Sequence, residues 1–144
     1  MKARLALGVL ISLVAVVGTS RLVESQADAD HHKLGAQIFE LRTYTTAEGK
    51  LDHLHARFRN HTNHLFVKHG MRLVAYWIPT EKADTLIYVL AHENRDAAKK
   101  SWAAFIGDPA WKKVYKASHE KAGGRIVTKV ESVFMNPTDY SPIR

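Results

Sequence analysis

An α+β domain with the element order βαββαβ, its second helix split in two, is the fold class this sequence predicts. Three observations predict it. Apolar residues alternate with a period of two in four segments. Between those segments they recur at helical spacing. A glycine, a proline or a capping side chain stands at most of the joins.

The elements follow in order. Gln37–Thr45 reads as the first strand, with Phe39, Leu41 and Thr43 on one face and Glu40, Arg42 and Tyr44 on the other. Gly49 breaks this pattern, and Lys50–His69 is the first helix. Its stripe is Leu51, Leu54, Phe58, Thr62 and Leu65, and Gly70 stands where a left-handed cap belongs. Met71–Ile78 is the second strand, with Leu73, Ala75 and Trp77 on one face and Val74, Tyr76 and Ile78 on the other. A loop with Pro79 leads through a polar run to Asp84. Thr85–His92, apolar on both faces, is the third strand. Asn94 caps a helix that runs through Trp102 to Ile106. Gly107–Asp108–Pro109 stops it and starts another, with Asp108 as N-cap and Pro109 in the first turn. That piece carries Trp111, Val114, Tyr115 and Ser118 and ends at Gly123–Gly124. Ile126–Met135 is the last strand, and a tail with Pro137 and Pro142 wraps the surface.

This order is that of a ferredoxin-like sandwich, with helices on one face of a four-stranded antiparallel sheet. The second and third strands are apolar on both sides, so the other sheet face needs a partner as well. A second copy of the same sheet is the simplest one, and twofold dimers are the commonest assembly. The expectation is a homodimer forming a dimeric α/β barrel. The first and last strands should lie side by side and antiparallel. On that basis Glu40 and Arg42 are expected opposite Lys129 and Glu131, on the face away from the helices.

Composition removes several function classes. Hydrophobic residues make up 46% of the chain and charged residues 24%, a globular balance. Cysteine is absent, which excludes disulfides, thiolate metal sites and a cysteine nucleophile. The formal charge is +7, but the basic residues alternate with acids, as in Glu48–Lys50–Asp52 and Arg95–Asp96–Lys99. No recognition helix or stacking array accompanies them, so nucleic acid is not an expected partner. Gly123–Gly124 lacks the strand–loop–helix setting of a phosphate-binding loop. No serine elbow or zinc-protease helix appears.

Residues 1–29 have the layout of a secretory signal peptide and short leader: the basic start Met1–Arg4, the apolar run Leu5–Gly18, then polar residues. The run is shorter than the roughly 20 residues a spanning helix needs, so no stable membrane span is expected. The expected location is extracytoplasmic, periplasmic or secreted. Cleavage fits after Ala27 or after Ala29. The second choice leaves Asp30–His31–His32 as a terminus whose His32 can ring Cu(II) or Ni(II) with the amine and two amides. Residues 30–36 read as a flexible N-terminus.

From residue 37 to 142 the chain resembles the NIPSNAP family. The resemblance is carried by Phe39–Glu40–Leu41–Arg42–Thr43–Tyr44, Arg57–Phe58–Arg59–Asn60–His61–Thr62 and Phe66–Val67–Lys68–His69–Gly70–Met71. Ser101–Trp102–Ala103–Ala104–Phe105 with Asp108–Pro109–Ala110–Trp111, then Val130–Glu131–Ser132 and Pro137–Thr138–Asp139–Tyr140–Ser141–Pro142, complete it in order. The resemblance implies a dimeric α+β barrel and no agreed reaction. The wider group of such barrels includes cofactor-free oxygenases, haem-handling enzymes and plain binding proteins. Fold analogy alone does not choose among them.

Nine histidines offer the first candidates for chemistry. His53, His55, His61, His64 and His69 all fall in the first helix. His61 and His64 are helix neighbours and can share a metal, with His92 as a third ligand from the sheet. No carboxylate stands three or four residues on from either, so the local set is incomplete and no metal is assigned. His61, bordering the apolar stripe, is the first candidate for a base, with Tyr76 or Tyr88 as a positioning hydroxyl. Tyr76, Trp77, Trp102 and Tyr115 with His61 are the candidate lining of a pocket for a small organic ligand. No cofactor is expected. The reading is a homodimeric small-ligand-binding or interaction module. The alternative is a cofactor-independent monooxygenase-like enzyme acting on a small aromatic or carbonyl compound.

Overall fold

The computed structural model describes residues 37–143. The leader, its cleavage sites and His32 lie outside them. The order is β1 (Ile38–Thr46), α1 (Leu51–Arg57), a π turn (Phe58–Thr62), α2 (Asn63–Lys68), β2 (Arg72–Trp77), β3 (Thr85–His92), α3 (Arg95–Gly107), α4 (Pro109–Lys121) and β4 (Val127–Met135). The strands form one antiparallel sheet in the order β2-β3-β1-β4, the ferredoxin-like arrangement. No helix of the described residues is long and apolar enough to cross a membrane.

Local chemistry sets the element ends. Gly70 has φ +76°. There the amide of Met71 donates to Phe66 O at 2.9 Å and that of Gly70 to Val67 O at 3.0 Å, the paired bonds that close a helix through a left-handed residue. Asn94 Oδ1 accepts from the Ala97 amide at 2.8 Å and starts α3. Asp108 Oδ1 accepts from the Ala110 amide at 2.8 Å and starts α4, with Pro109 in its first turn. Asp108 Oδ2 also accepts from Lys68 Nζ at 2.7 Å and meets His69 Nε2 at 2.8 Å, tying the end of α2 to the start of α4.

The first helix departs from the expected stripe. An α-helix of 3.6 residues per turn drifts by about 0.4 residue at each four-residue step. The stripe Leu54–Phe58–Thr62 should therefore pass to Leu65. The π turn widens the coil there and keeps the four-residue step in line. Phe66 is buried instead, and Leu65 is only partly covered. Arg57 is carried inward with Phe58.

The two faces of the sheet differ in kind. Leu86, Tyr88 and Leu90 of β3 pack with Leu54, Phe58, Phe66 and Phe105 from the helices. The other face holds a cluster built from strand residues alone: Phe39, Val89 and Ala91, with Leu41, Val74 and Met135 against them. Glu40, Arg42 and Tyr44 point to the helices, since Phe39 and Leu41 fill the opposite face. This corrects the expectation that placed Glu40 and Arg42 away from the helices. They also do not oppose Lys129 and Glu131, because the register pairs Glu40 with Phe134 and Arg42 with Ser132.

A second correction concerns β2. Leu73 pairs with Leu90 and Ala75 with Val89, so Val74 is an extra residue in a bulge. The bulge reverses the alternation, and Leu73 and Tyr76 share the helix face. Simple period-two counting put them on opposite sides.

Two truncations test the altered helix register. Phe66→Ala should cost about 3–5 kcal/mol, as for a filled core position. Val67→Ala, at a residue 59% exposed, should stay within about 0.5 kcal/mol. Urea denaturation of both variants is the check, and equal losses would contradict the register.

Candidate functional site

Two constellations lie between the sheet and the helices. The first centres on Glu40, which is 1% exposed. Its Oε1 accepts from Arg42 Nη1 at 2.6 Å and from Ser132 Oγ at 2.7 Å. Its Oε2 accepts from Trp102 Nε1 at 2.7 Å and meets His92 Nε2 at 3.1 Å. An ionised carboxylate only accepts, so His92 Nε2 carries a proton. Burial alone would raise the Glu40 pKa. The bonds from His92, Ser132, Trp102 and Arg42 outweigh it and hold the pKa down at about 2. The Arg42 guanidinium lies 4.2 Å from the Trp102 ring. Arg42 Nε and His92 Nδ1 are buried without a partner. An open cavity of about 490 Å³ adjoins this network, with Arg95, Asp96, Lys99 and Phe134 at its rim.

The second constellation is a cleft of about 160 Å³. Tyr44, Phe58, Phe66, Phe105, Trp111 and Tyr115 supply its rings, and Arg57, Thr62 and Arg125 its polar groups. The Trp111 ring centroid is 4.4 Å from that of Phe105 and 5.6 Å from that of Tyr115. Arg57, 5% exposed, is the last residue of α1, and its carbonyl accepts from Thr62 Oγ1 at 3.3 Å across the π turn. Its Nη1 donates to Ser118 Oγ at 3.2 Å. Burial lowers its pKa from the ordinary arginine value. π turns recur at functional sites, and this one directly follows the cleft's buried cation.

The residues singled out from the sequence do not share one cavity. His61 is exposed and lines an outer groove of about 310 Å³ between α1 and α4, with His53, Lys113 and Lys121. Tyr76 donates to Asn63 Oδ1 at 2.9 Å and stacks on Tyr88 at 5.6 Å between centroids. Tyr76 and Trp77 border a separate cavity beside β2, of about 390 Å³. Trp102 belongs to the Glu40 network, and Tyr115 to the cleft. Tyr88 is fully buried and lines none of these cavities, and burial with the neighbouring Tyr44 pushes its pKa well up. His64 is exposed. Among the described residues, no three His, Asp or Glu side chains are grouped to hold a metal ion. Sequence reading missed Arg57, and it missed the meeting of Glu40 with His92 and Trp102. The available signal was a charged residue inside each apolar pattern, Arg57 beside Phe58 and Glu40 beside Phe39.

Comparisons with known proteins agree with this architecture. The family model for NIPSNAP matches residues 39–142. An uncharacterised NIPSNAP-like domain protein from Burkholderia xenovorans has a similar structure, with TM-score 0.64 and 14% identity over 74% of this chain and 90% of that one. A NIPSNAP family protein of unknown function from Agrobacterium tumefaciens gives TM-score 0.66 and 19% identity, covering 79% and 99%. SnoaB, a cofactor-independent oxygenase from Streptomyces nogalater, gives TM-score 0.53 and 14% identity, covering 75% and 99%. At such identities the likeness is one of fold alone. No curated protein matches the chain significantly.

The Glu40 network makes stability depend on pH in a stated direction. Its folded pKa is about 2 against an ordinary 4.5, so its contribution is fully present above 4.5 and is lost as the pH falls toward 2. Glu40→Gln should lose about 3 kcal/mol at pH 7, the effect of breaking a buried pair. It should also lose less than the wild type between pH 4.5 and 2. Urea midpoints across that interval decide it, and identical slopes would overturn the assignment.

Proposed function

The chain belongs to the NIPSNAP family, and from that premise we propose that it is a homodimeric small-ligand-binding module of the extracytoplasmic space. The observation that carries the ligand reading is the cleft between sheet and helices. It is apolar and ringed by aromatics, with a few convergent polar groups, which is the general make-up of small-molecule sites. Its volume of about 160 Å³ suits a ligand the size of a single ring, since a cavity of roughly 150 Å³ takes benzene.

The dimer reading rests on the second sheet face. Phe39, Val89 and Ala91 with Leu41, Val74 and Met135 form an apolar cluster to which no described helix contributes. Trp77 and Val133 at its margins are half exposed. A sheet from a second copy would cover this face and leave the cleft open on the other. The extracytoplasmic location rests on the basic, apolar and polar succession of residues 1–29.

A second reading is a cofactor-independent monooxygenase-like enzyme for a small aromatic or carbonyl compound. One observation favours it: His92 is held by Glu40 through Nε2 while its Nδ1 lies buried and unpartnered. A carboxylate that orients an imidazole is a common arrangement around general bases.

Native mass spectrometry of the mature protein, purified from the cells that export it, tests the favoured reading. A dimer carrying a small added mass is expected, and a bare monomer would overturn it. Val89→Glu places a charge in the strand-only cluster. It should give a folded monomer by sedimentation velocity and circular dichroism.

A further inference from the structure

We propose that the cleft is a carboxylate-binding site for a small aromatic monocarboxylate, with the carboxylate on Arg57 and the ring against Tyr44, Phe58 and Trp111. This rests on the reading of the cleft as a ligand site.

Two arginines lie under the same sheet, Arg42 partly buried and Arg57 buried. Arg42 has its carboxylate, Glu40, at 2.6 Å. Arg57 is 5% exposed and has no carboxylate partner among the described residues. Its one hydrogen bond is to the hydroxyl of Ser118, which itself donates to Tyr115 O at 2.8 Å. Its Nε is buried with no acceptor. A guanidinium offers five donors in a planar fork, and a charge taken out of water needs acceptors for them. Arg57 is therefore a preformed donor array without its anion.

The surroundings narrow the anion. Arg57 Cζ lies 5.4 Å from the Trp111 ring and 5.5 Å from the Tyr115 ring, and those rings are 5.6 Å apart, so both stand on one side of the guanidinium. A planar carboxylate matches the fork of a guanidinium with two parallel bonds. Arg125 is a second cation at the same cleft, and its Nε donates to Val127 O at 2.7 Å. No acidic residue lines the space. Apart from Thr62, the rest of the wall is aromatic or aliphatic and admits one ring. A bare inorganic anion would satisfy Arg57 and leave these walls unfilled.

The test uses the purified protein with four probes: benzoate, benzamide, toluene and inorganic phosphate. Affinities come from calorimetry and from the ¹⁵N resonance of Arg57 Nε. Benzoate should bind at least about tenfold tighter than benzamide, the range set by hydrogen bonds to a charged group. It should shift the Arg57 Nε signal and should outcompete phosphate. Arg57→Met should remove the preference for benzoate while toluene still binds. The comparison of benzoate with benzamide on the wild type stands even if that variant does not fold. Equal affinity for the two probes, or phosphate binding as tightly as benzoate, overturns this inference and leaves the ligand-site reading in place if toluene binds. Failure of benzoate, benzamide and toluene together overturns both.

Discussion

The buried carboxylate of Glu40 is the constraint on which the rest of the domain depends. It sits on β1, the strand between β3 and β4, and it is almost wholly buried. It can stay ionised there only if donors converge on it. Those donors come from β1 itself, β3, β4 and α3: Arg42, His92, Ser132 and the Trp102 indole. One charge thus fixes the register of three strands and the seating of a helix. A slip of one residue in β1 would carry Glu40 into the Phe39–Val89–Ala91 cluster, where no donor is placed. The apolar alternation of β1 and the polar demand of Glu40 select the same register.

The π turn has a comparable role for the first helix. It brings Leu54, Phe58 and Phe66 into one core and turns Arg57 toward α4. A regular helix would rotate the residues after Phe58 away from the sheet. Thr62 belongs to this arrangement, since its hydroxyl bonds the Arg57 carbonyl five residues back. The same extra width leaves His61 facing solvent. The irregularity that completes the core also decides which of the helix's polar residues stands in the cleft.

Much of this fold was legible in the sequence because its signals are local. The caps at Asn94 and Asp108, the left-handed Gly70 and the order of elements follow from short-range chemistry. What was not legible depends on one-residue insertions. The bulge at Val74 moved Tyr76 to the helix face, and the π turn exchanged Leu65 for Phe66. Periodicity arguments assume constant period, so each insertion shifts every later residue of its element. The inward face of Glu40 and Arg42 has another cause. Polarity favours water for a charge, whereas Arg42 beside it and three donors from distant segments make the inward position of Glu40 stable. The cleft was hidden for the same cause, as Arg57 meets Trp111 and Tyr115 only across the packed helices.

Arg42 and Arg57 then differ in whether the chain itself supplies the anion. Both are arginines in partly apolar surroundings, and both meet the rings of tryptophan and tyrosine. One is balanced by a carboxylate that the chain itself supplies, and its neighbours are drawn into a closed network. The other has spare donors at the wall of a cleft. Folding alone gives no reason to retain such a group, because an apolar side chain of similar volume would pack there without the cost of desolvating a charge. An uncompensated buried cation at a helix irregularity, facing a ring-sized space, is accounted for if its anion arrives from outside. The strand-only face lies across the sheet from this cleft, so dimerisation would leave it open. Both features nevertheless depend on β1, whose odd residues, Phe39 and Leu41, meet the apolar face while its even residues, Glu40, Arg42 and Tyr44, meet the helices. On the proposed reading, alternation along one strand would keep assembly and binding apart in space, and the register that serves one would serve the other.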